Sequence, residues 1–222
     1  MIKKNNSFNN FFVKNILIWG KINKREFLWR RTKNPYDILI AEVLLQRTKA
    51  KQVEQIYAIF MDRYPTIYKL YNEDEMAITK MLIPLGLKKR GKALKQIAQI
   101  IVKQYEGNIS NNKEILMTIP FIGNYTSDAI LCHAYNEQVA TYDSNFARVI
   151  NNFFILSLSK PFSKDPKGYS FAQNLIKLVD KDYNLFNLAI IDFASAICLT
   201  NKPKCSVCPL KKSCCYYFNS YP

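Results

Sequence analysis

Residues 113–135 read KEILMTIPFIGNYTSDAILCHAY, and this stretch decides the fold. Lys113 to Met117 and Tyr125 to Tyr135 carry apolar residues at the three-to-four spacing of helices, and Pro120-Phe121-Ile122-Gly123-Asn124 between them leaves room only for a tight turn. A helical hairpin follows. The same period extends outward on both sides. It gives helices over Phe8–Trp19, Tyr36–Arg47 (with Ile38, Leu39, Val43 and Leu44 on one side), Lys51–Arg63, Glu73–Met81 and Lys89–Tyr105 before the hairpin. After it come Asn145–Phe153, Tyr169–Val179 and Leu185–Ala196. Alternating strand patterns are scarce and short, so the expected class is all-α. One long loop, Ser157–Gly168, holds two prolines and a glycine, and no internal repeat stands out.

The chain has 222 residues, 49% of them hydrophobic, enough for one large or two small domains with packed cores. Lys and Arg number 32 against 17 Asp and Glu, a net charge of +15. That excess repels itself in a compact state unless an anionic partner uses it, and nucleic acid, which rewards clustered cations by counterion release, is the first candidate. Lys14 and Asn15 interrupt the N-terminal apolar stretch and no small-residue cleavage site follows, so no signal peptide is expected. No run is long enough to span a bilayer. The expected location is intracellular, in the cytoplasm or nucleoid, with no membrane partner. In that compartment thiols stay reduced, and six cysteines read as ligands before disulfides.

Four of them form a compact C-terminal group: Cys198, Cys205, Cys208 and Cys214 leave gaps of six, two and five residues. A loop of that length can wrap four thiolates around one site. Zinc competes for such ligands, although four-cysteine zinc sites are usually two close pairs and only Cys205 and Cys208 make such a pair. Pro203, Pro209 and four lysines make the loop polar, a poor place to bury free thiols. Cys132, inside its helix, reads as a core thiol, and Cys215 as a neighbour of a ligand.

The hairpin Ile119–Asn124 with Tyr125, Thr126 and Ser127, the segment Ala140-Thr141-Tyr142-Asp143-Ser144-Asn145 with Arg148-Val149-Ile150 beyond it, and the cysteine loop come in a fixed order. Together they resemble the helix-hairpin-helix, iron-sulfur DNA glycosylases, the superfamily of endonuclease III and MutY. The resemblance implies two helical domains flanking a DNA-binding cleft, residues 30–138 forming a helical barrel domain with the hairpin and residues 1–29 with 139–222 a second. It implies a [4Fe-4S] cluster on Cys198, Cys205, Cys208 and Cys214, with Lys202 and Lys204 on a basic loop against DNA. It makes Asp143 the catalytic carboxylate, whose charge would stabilise a sugar that turns cationic as its base departs. Asp143 can equally be a helix N-cap, a role compatible with catalysis. Ile122, Gly123 and Asn124 would present backbone N–H groups to a phosphate. The usual hairpin is Leu-Pro-Gly-Val-Gly, and here Phe121 replaces the first glycine, which tolerates positive φ where phenylalanine does not readily do so.

Ala41-Glu42-Val43-Leu44-Leu45-Gln46-Arg47-Thr48 resembles the segment that carries a second active-site carboxylate in MutY and the mismatch glycosylases. Glu42 would then exchange a proton with the extruded base. Gln46 and Arg47 would enter the minor groove or fill the gap left by the flipped nucleotide. Endonuclease III places a Schiff-base lysine where this chain has Tyr125, so the resemblance implies a monofunctional enzyme using water. Gly86-Leu87-Lys88-Lys89-Arg90-Gly91 replaces the Gly-Tyr-Tyr-x-Arg-Ala segment of MutY, and the chain stops soon after the cysteines. Both features are more similar to the thymine-mismatch glycosylases, implying removal of thymine or uracil opposite guanine by a monomer acting on double-stranded DNA. Adenine removal and a non-catalytic DNA-binding module are the alternatives. The basic group Lys88, Lys89, Arg90, Lys92, Lys95 reads as a phosphate rail or a solvated face, and His133, alone in mid-helix, as structural.

Overall fold

A computed structural model of the chain describes residues 6–86 and 89–220. Among them are helices α1 (Asn6–Asn23), α2 (Pro35–Leu45), α3 (Ala50–Arg63), α4 (Ile67–Asn72), α5 (Glu75–Leu82), α6 (Lys89–Tyr105), α7 (Lys113–Thr118), α8 (Asn124–Tyr135), α9 (Ser144–Phe154), α10 (Pro166–Ile176), α11 (Tyr183–Ala196) and α12 (Cys215–Ser220). The described residues contain no strand. Leu87, and Lys88 of the basic group, lie outside the described residues.

Helix starts are set by the expected side chains. Asn34, Thr66, Asp74, Asn112, Asp143 and Asp165 each accept a backbone N–H from the first turn of α2, α4, α5, α7, α9 and α10. Pro35 and Pro166 stand in first turns, where their missing N–H is harmless. The Asp165 cap draws the start of α10 into what the sequence shows as a loop, with Oδ1 accepting from Gly168 N at 2.8 Å. The six-residue helices α4 and α12 lie outside the expected set.

The chain divides into two compact units, one running to Arg25 and resuming at Asn136, the other Glu26–Tyr135. In the first, α9 is the central element. Phe146, Ala147, Val149, Ile150, Phe153 and Phe154 are all buried on it, one helical stripe against α10, α11 and α12. Phe153 stacks on Phe8 at 4.9 Å between centroids, and Phe154 meets Phe171 edge-on at 4.8 Å, each buried ring stabilising the core by about 1.5–3 kcal/mol. Helix α1 lies against α11 so closely that a Cβ on Gly20 would fall 2.4 Å from that of Ala189. Arg25 closes this contact, donating from N and Nε to the buried Asp192 at 2.8 and 2.7 Å.

In the second unit α2 packs against α8, α3 and α6, while α6 also packs against α4 and α5 and α7 against α8. Eight of the eleven residues of α2, Tyr36 and the unbroken run Ile38 to Leu44 with Glu42 among them, are buried, so α2 is hydrophobic nearly all round rather than on one face. Cys132 and Asp128 of α8 are both 1% exposed, Cys132 as a core thiol and Asp128 paired with Lys113 Nζ at 2.6 Å. That pair ties the two helices of the hairpin together.

Candidate functional site

The hairpin turn takes the glycine conformation without the glycine: Phe121 has φ +69°, in the left-handed region, with its side chain half exposed. Ile122 N closes the turn on Ile119 O at 3.1 Å, and the Ile122 side chain is buried. Gly123 is exposed and a Cβ there would meet nothing within 4 Å, so a ligand backbone can approach closely. The first N–H groups of α8 lack intrahelical acceptors by geometry and point outward at the positive end of the helix, the ordinary setting for an anion. Left-handed geometry costs a non-glycine residue roughly 1–2 kcal/mol, partly offset by the extra unfolded-state freedom of glycine. Phe121→Gly is therefore expected to raise the melting temperature by about 2 °C, checked by thermal denaturation with wild type alongside.

Gln46 and Arg47 stand beside this turn. They are exposed in the connection between α2 and α3, Arg47 at φ +57° and Gln46 Nε2 donating to Phe121 O at 3.5 Å. The same unit holds Glu42 in α2, 7% exposed, and the half-buried Tyr125 in the first turn of α8. The basic group, by contrast, is not one solvated rail. Arg90 is buried, and Lys95 Nζ donates inward to Glu73 O at 2.6 Å and to Tyr71 O.

In the other unit Asp143 is fixed from both sides. Its Oδ1 accepts from Phe146 N and its Oδ2 from Asn145 Nδ2, each at 2.7 Å. Burial raises its carboxyl above the ordinary aspartate range, against the opposing pull of these hydrogen bonds and of Arg148. The extended segment leading to it is clamped by two amide side chains that the sequence did not single out. Gln173 of α10 exchanges two hydrogen bonds of 3.0 Å with Ala140, and the fully buried Asn187 of α11 accepts from Thr141 N and donates to Val139 O at 2.9 Å. Only the tertiary contact identifies them, because Gln and Asn at those helix positions look like ordinary polar residues.

From Asp143 a hydrogen-bonded path runs to the cysteine loop. Arg148 donates to Asn145 Oδ1 at 3.2 Å, to Ala194 O at 3.1 Å and to Cys198 O at 2.9 Å. One turn on, Asn152 Nδ2 donates to Cys198 Sγ at 3.4 Å, and Cys214 Sγ donates to Asn152 O at 3.7 Å. Cys198, Cys205, Cys208 and Cys214 line one pocket, walled by Val149, Phe153 and Phe193. Cys215 starts α12 and is not in that lining. Burial pushes all four thiols up, Cys208 to about 11, and its three companions add to that rise because they lie close by. Among the described residues no group of three or more His, Cys, Asp or Glu is set to hold a single metal ion. Lys202 and Lys204 are exposed on the same loop.

Residues 40–164 match the model of the HhH-GPD superfamily of base excision DNA repair proteins. The chain belongs to that superfamily. The match spans both the hairpin and Asp143. A thymine/uracil-DNA glycosylase of Methanothermobacter thermautotrophicus is 35% identical over 93% of this chain and 93% of its own length. An adenine DNA glycosylase of Buchnera aphidicola subsp. Baizongia pistaciae is 30% identical over 94% of this chain but 59% of its own. The solved structure of a thermostable thymine-DNA glycosylase superposes with a TM-score of 0.89 at 33% identity, covering 98% of this chain and 100% of that one. This HhH-GPD protein is thus similar over nearly its whole length to DNA N-glycosylases, and no helix among its described residues is long and apolar enough to cross a membrane.

Proposed function

We propose that this HhH-GPD protein is a monofunctional glycosylase that releases thymine or uracil mispaired with guanine in double-stranded DNA. The observation that carries the reaction is Asp143: a carboxylate held by two 2.7 Å hydrogen bonds on a clamped segment. As the glycosidic bond stretches, positive charge grows on the sugar, and a fixed carboxylate in a site of reduced polarity stabilises it without reorganising. Water adds at C1′ and gives up a proton, the base leaves carrying one, and an abasic site remains. Glu42 handles a proton of the departing base and Tyr125 contacts that base. Tyr125 has no amine with which to form a Schiff base.

Gly123 and Asn124 hold a phosphate by backbone N–H, whereas the Ile122 N–H is already engaged by Ile119 O; Lys202 and Lys204 support the duplex electrostatically, and Gln46 with Arg47 occupies the space of the extruded nucleotide. Cys198, Cys205, Cys208 and Cys214 fit a [4Fe-4S] cluster. They are four soft donors around one pocket, and only Cys205 and Cys208 form the kind of close pair from which four-cysteine zinc sites are usually built. The cluster's contribution is structural, holding the lysine loop and, through Arg148 and Asn152, the helix that carries Asp143.

The test is a panel of duplexes with T·G, U·G and adenine opposite oxidised guanine, each treated with alkali to reveal abasic sites. Release from T·G and U·G at rates at least about tenfold above the adenine duplex is expected, with no borohydride-trapped adduct. Preference for adenine moves the substrate to the adenine-glycosylase reading, and release from none of them removes the enzymatic one.

A further inference from the structure

Arg90 lies in the first turn of α6 and is 4% exposed, a position where a guanidinium is costly unless acceptors reach it; Nε has no partner among the described residues, and both terminal nitrogens do. Nη1 donates to Leu44 O at 2.9 Å, and Nη2 donates to Gln46 O and to Thr48 Oγ1, the latter at 2.7 Å. All three acceptors belong to one short stretch. Leu44 is in the last turn of α2, whose C-terminal carbonyls have no intrahelical partner, and Gln46 and Thr48 flank Arg47, which is left-handed at φ +57°. The side chains of Gln46 and Arg47 are exposed on the outside of this turn, and Arg90 grips it from within. Nothing else with a fork of donors could bridge the three acceptors. A lysine is a single point charge and reaches fewer of them.

We propose that Arg90 is a positioning residue for base extrusion: it holds the strained Gln46–Thr48 turn in one conformation, so that Gln46 and Arg47 meet the duplex already ordered. A loose turn would lose part of its binding energy to its own ordering at the moment the nucleotide must leave the stack. Arg90 touches neither base nor sugar, so its loss slows extrusion and spares bond cleavage. This rests on the reading of Gln46 and Arg47 given under the proposed function.

Uracil release is measured in single turnover from a U·G duplex and from the same uracil in an unpaired bubble, where extrusion is nearly free. Arg90→Lys is expected to lower the duplex-to-bubble rate ratio at least about tenfold, and Thr48→Val to lower it in the same direction by less. In a Gln46→Ala, Arg47→Ala background, Arg90→Lys is expected to leave the ratio unchanged, because the group it positions is gone. A parallel fall on both substrates, no fall on either, or an undiminished Arg90→Lys effect in that background overturns the proposal. Thr48→Val, which buries no unpaired charge, decides the matter should Arg90→Lys fail to fold. Extrusion is also followed by the fluorescence of 2-aminopurine beside the mispair, which needs no catalysis. If the wild type extrudes but releases no base, the glycosylase reading fails while Arg90 is still judged by whether Arg90→Lys loses the signal. If the wild type gives no signal, the positioning role falls.

Discussion

Asp143→Asn is expected to cut thymine release from a T·G duplex by about a hundred- to a thousandfold, the loss typical of removing one preorganised electrostatic contact to a transition state. The asparagine keeps the N-cap, since its carbonyl can still accept from Phe146 N, so α9 and the surrounding core stay in place. What disappears is the charge, together with the hydrogen bond that Oδ2 accepts from Asn145 Nδ2. Burial is the largest influence on this carboxyl and raises it, so the neutral form is favoured in the folded state relative to the unfolded chain. Whatever stability that preference gives is fully present below the unfolded pKa and is lost as pH rises through the folded one. At neutral pH the ionised carboxylate therefore destabilises the fold, and the melting temperature of Asp143→Asn relative to wild type should increase as pH is raised from acid to neutral. Activity runs the opposite way. The wild-type rate should fall on acidification through a pKa above the usual aspartate range, as the carboxylate is protonated. Thymine release by Asp143→Asn at the wild-type rate would remove Asp143 from the mechanism, and a melting difference independent of pH would remove the burial argument.

Cys198→Ser is expected to give colourless protein, lacking the broad violet-blue absorption of an iron-sulfur cluster, with base release lowered at least about tenfold, as for lost metal-site support. Cys198 is the cysteine for this test because its surroundings serve two purposes. Its Sγ accepts from Asn152 and its carbonyl from Arg148, both on the helix capped by Asp143. Losing a cluster at this position would loosen the loop of Lys202 and Lys204 and release the C-terminal half of α9. Cys215→Ser, outside the pocket lining, should leave colour and rate as they are. Wild-type colour in Cys198→Ser, or loss of colour in Cys215→Ser, would refute this ligand assignment.

Much of the helical pattern is legible without coordinates, because apolar period and capping residues act over one or two turns. Lys89–Tyr105 is read to its observed ends, and the hairpin to within one residue at each helix end. The reading fails where local signals are short or cancelled. Glu73–Met81 starts two residues early, because Asp74 caps α5 at Glu75, and the short α4 (Ile67–Asn72) before it is missed. Phe121 argues locally against the hairpin turn, yet the turn forms: the Lys113–Asp128 pair and the buried Ile122 hold its two helices, and the strain of one residue is smaller than what they contribute.

The residues of the proposed site divide in the same way. Asp143, Glu42, Gln46, Arg47 and the four cysteines stand out in the sequence because each sits in a recognisable local pattern. Gln173 and Asn187 do not, and the inward contacts of Arg148 and Arg90 do not show either, since their partners are far away in the chain: 33 residues from Gln173 to Ala140, 46 from Asn187 to Thr141 and 50 from Arg148 to Cys198. The sequence by itself determined that the chain is helical, where its hairpin turns and which groups can carry charge or bind soft metals, because periodicity, capping and side-chain chemistry are properties of neighbours. Only the tertiary structure decided that Arg90 points inward and that Asp143 is fixed by clamped backbone. Burial, and the hydrogen bonds that make it tolerable, exist only once distant segments meet.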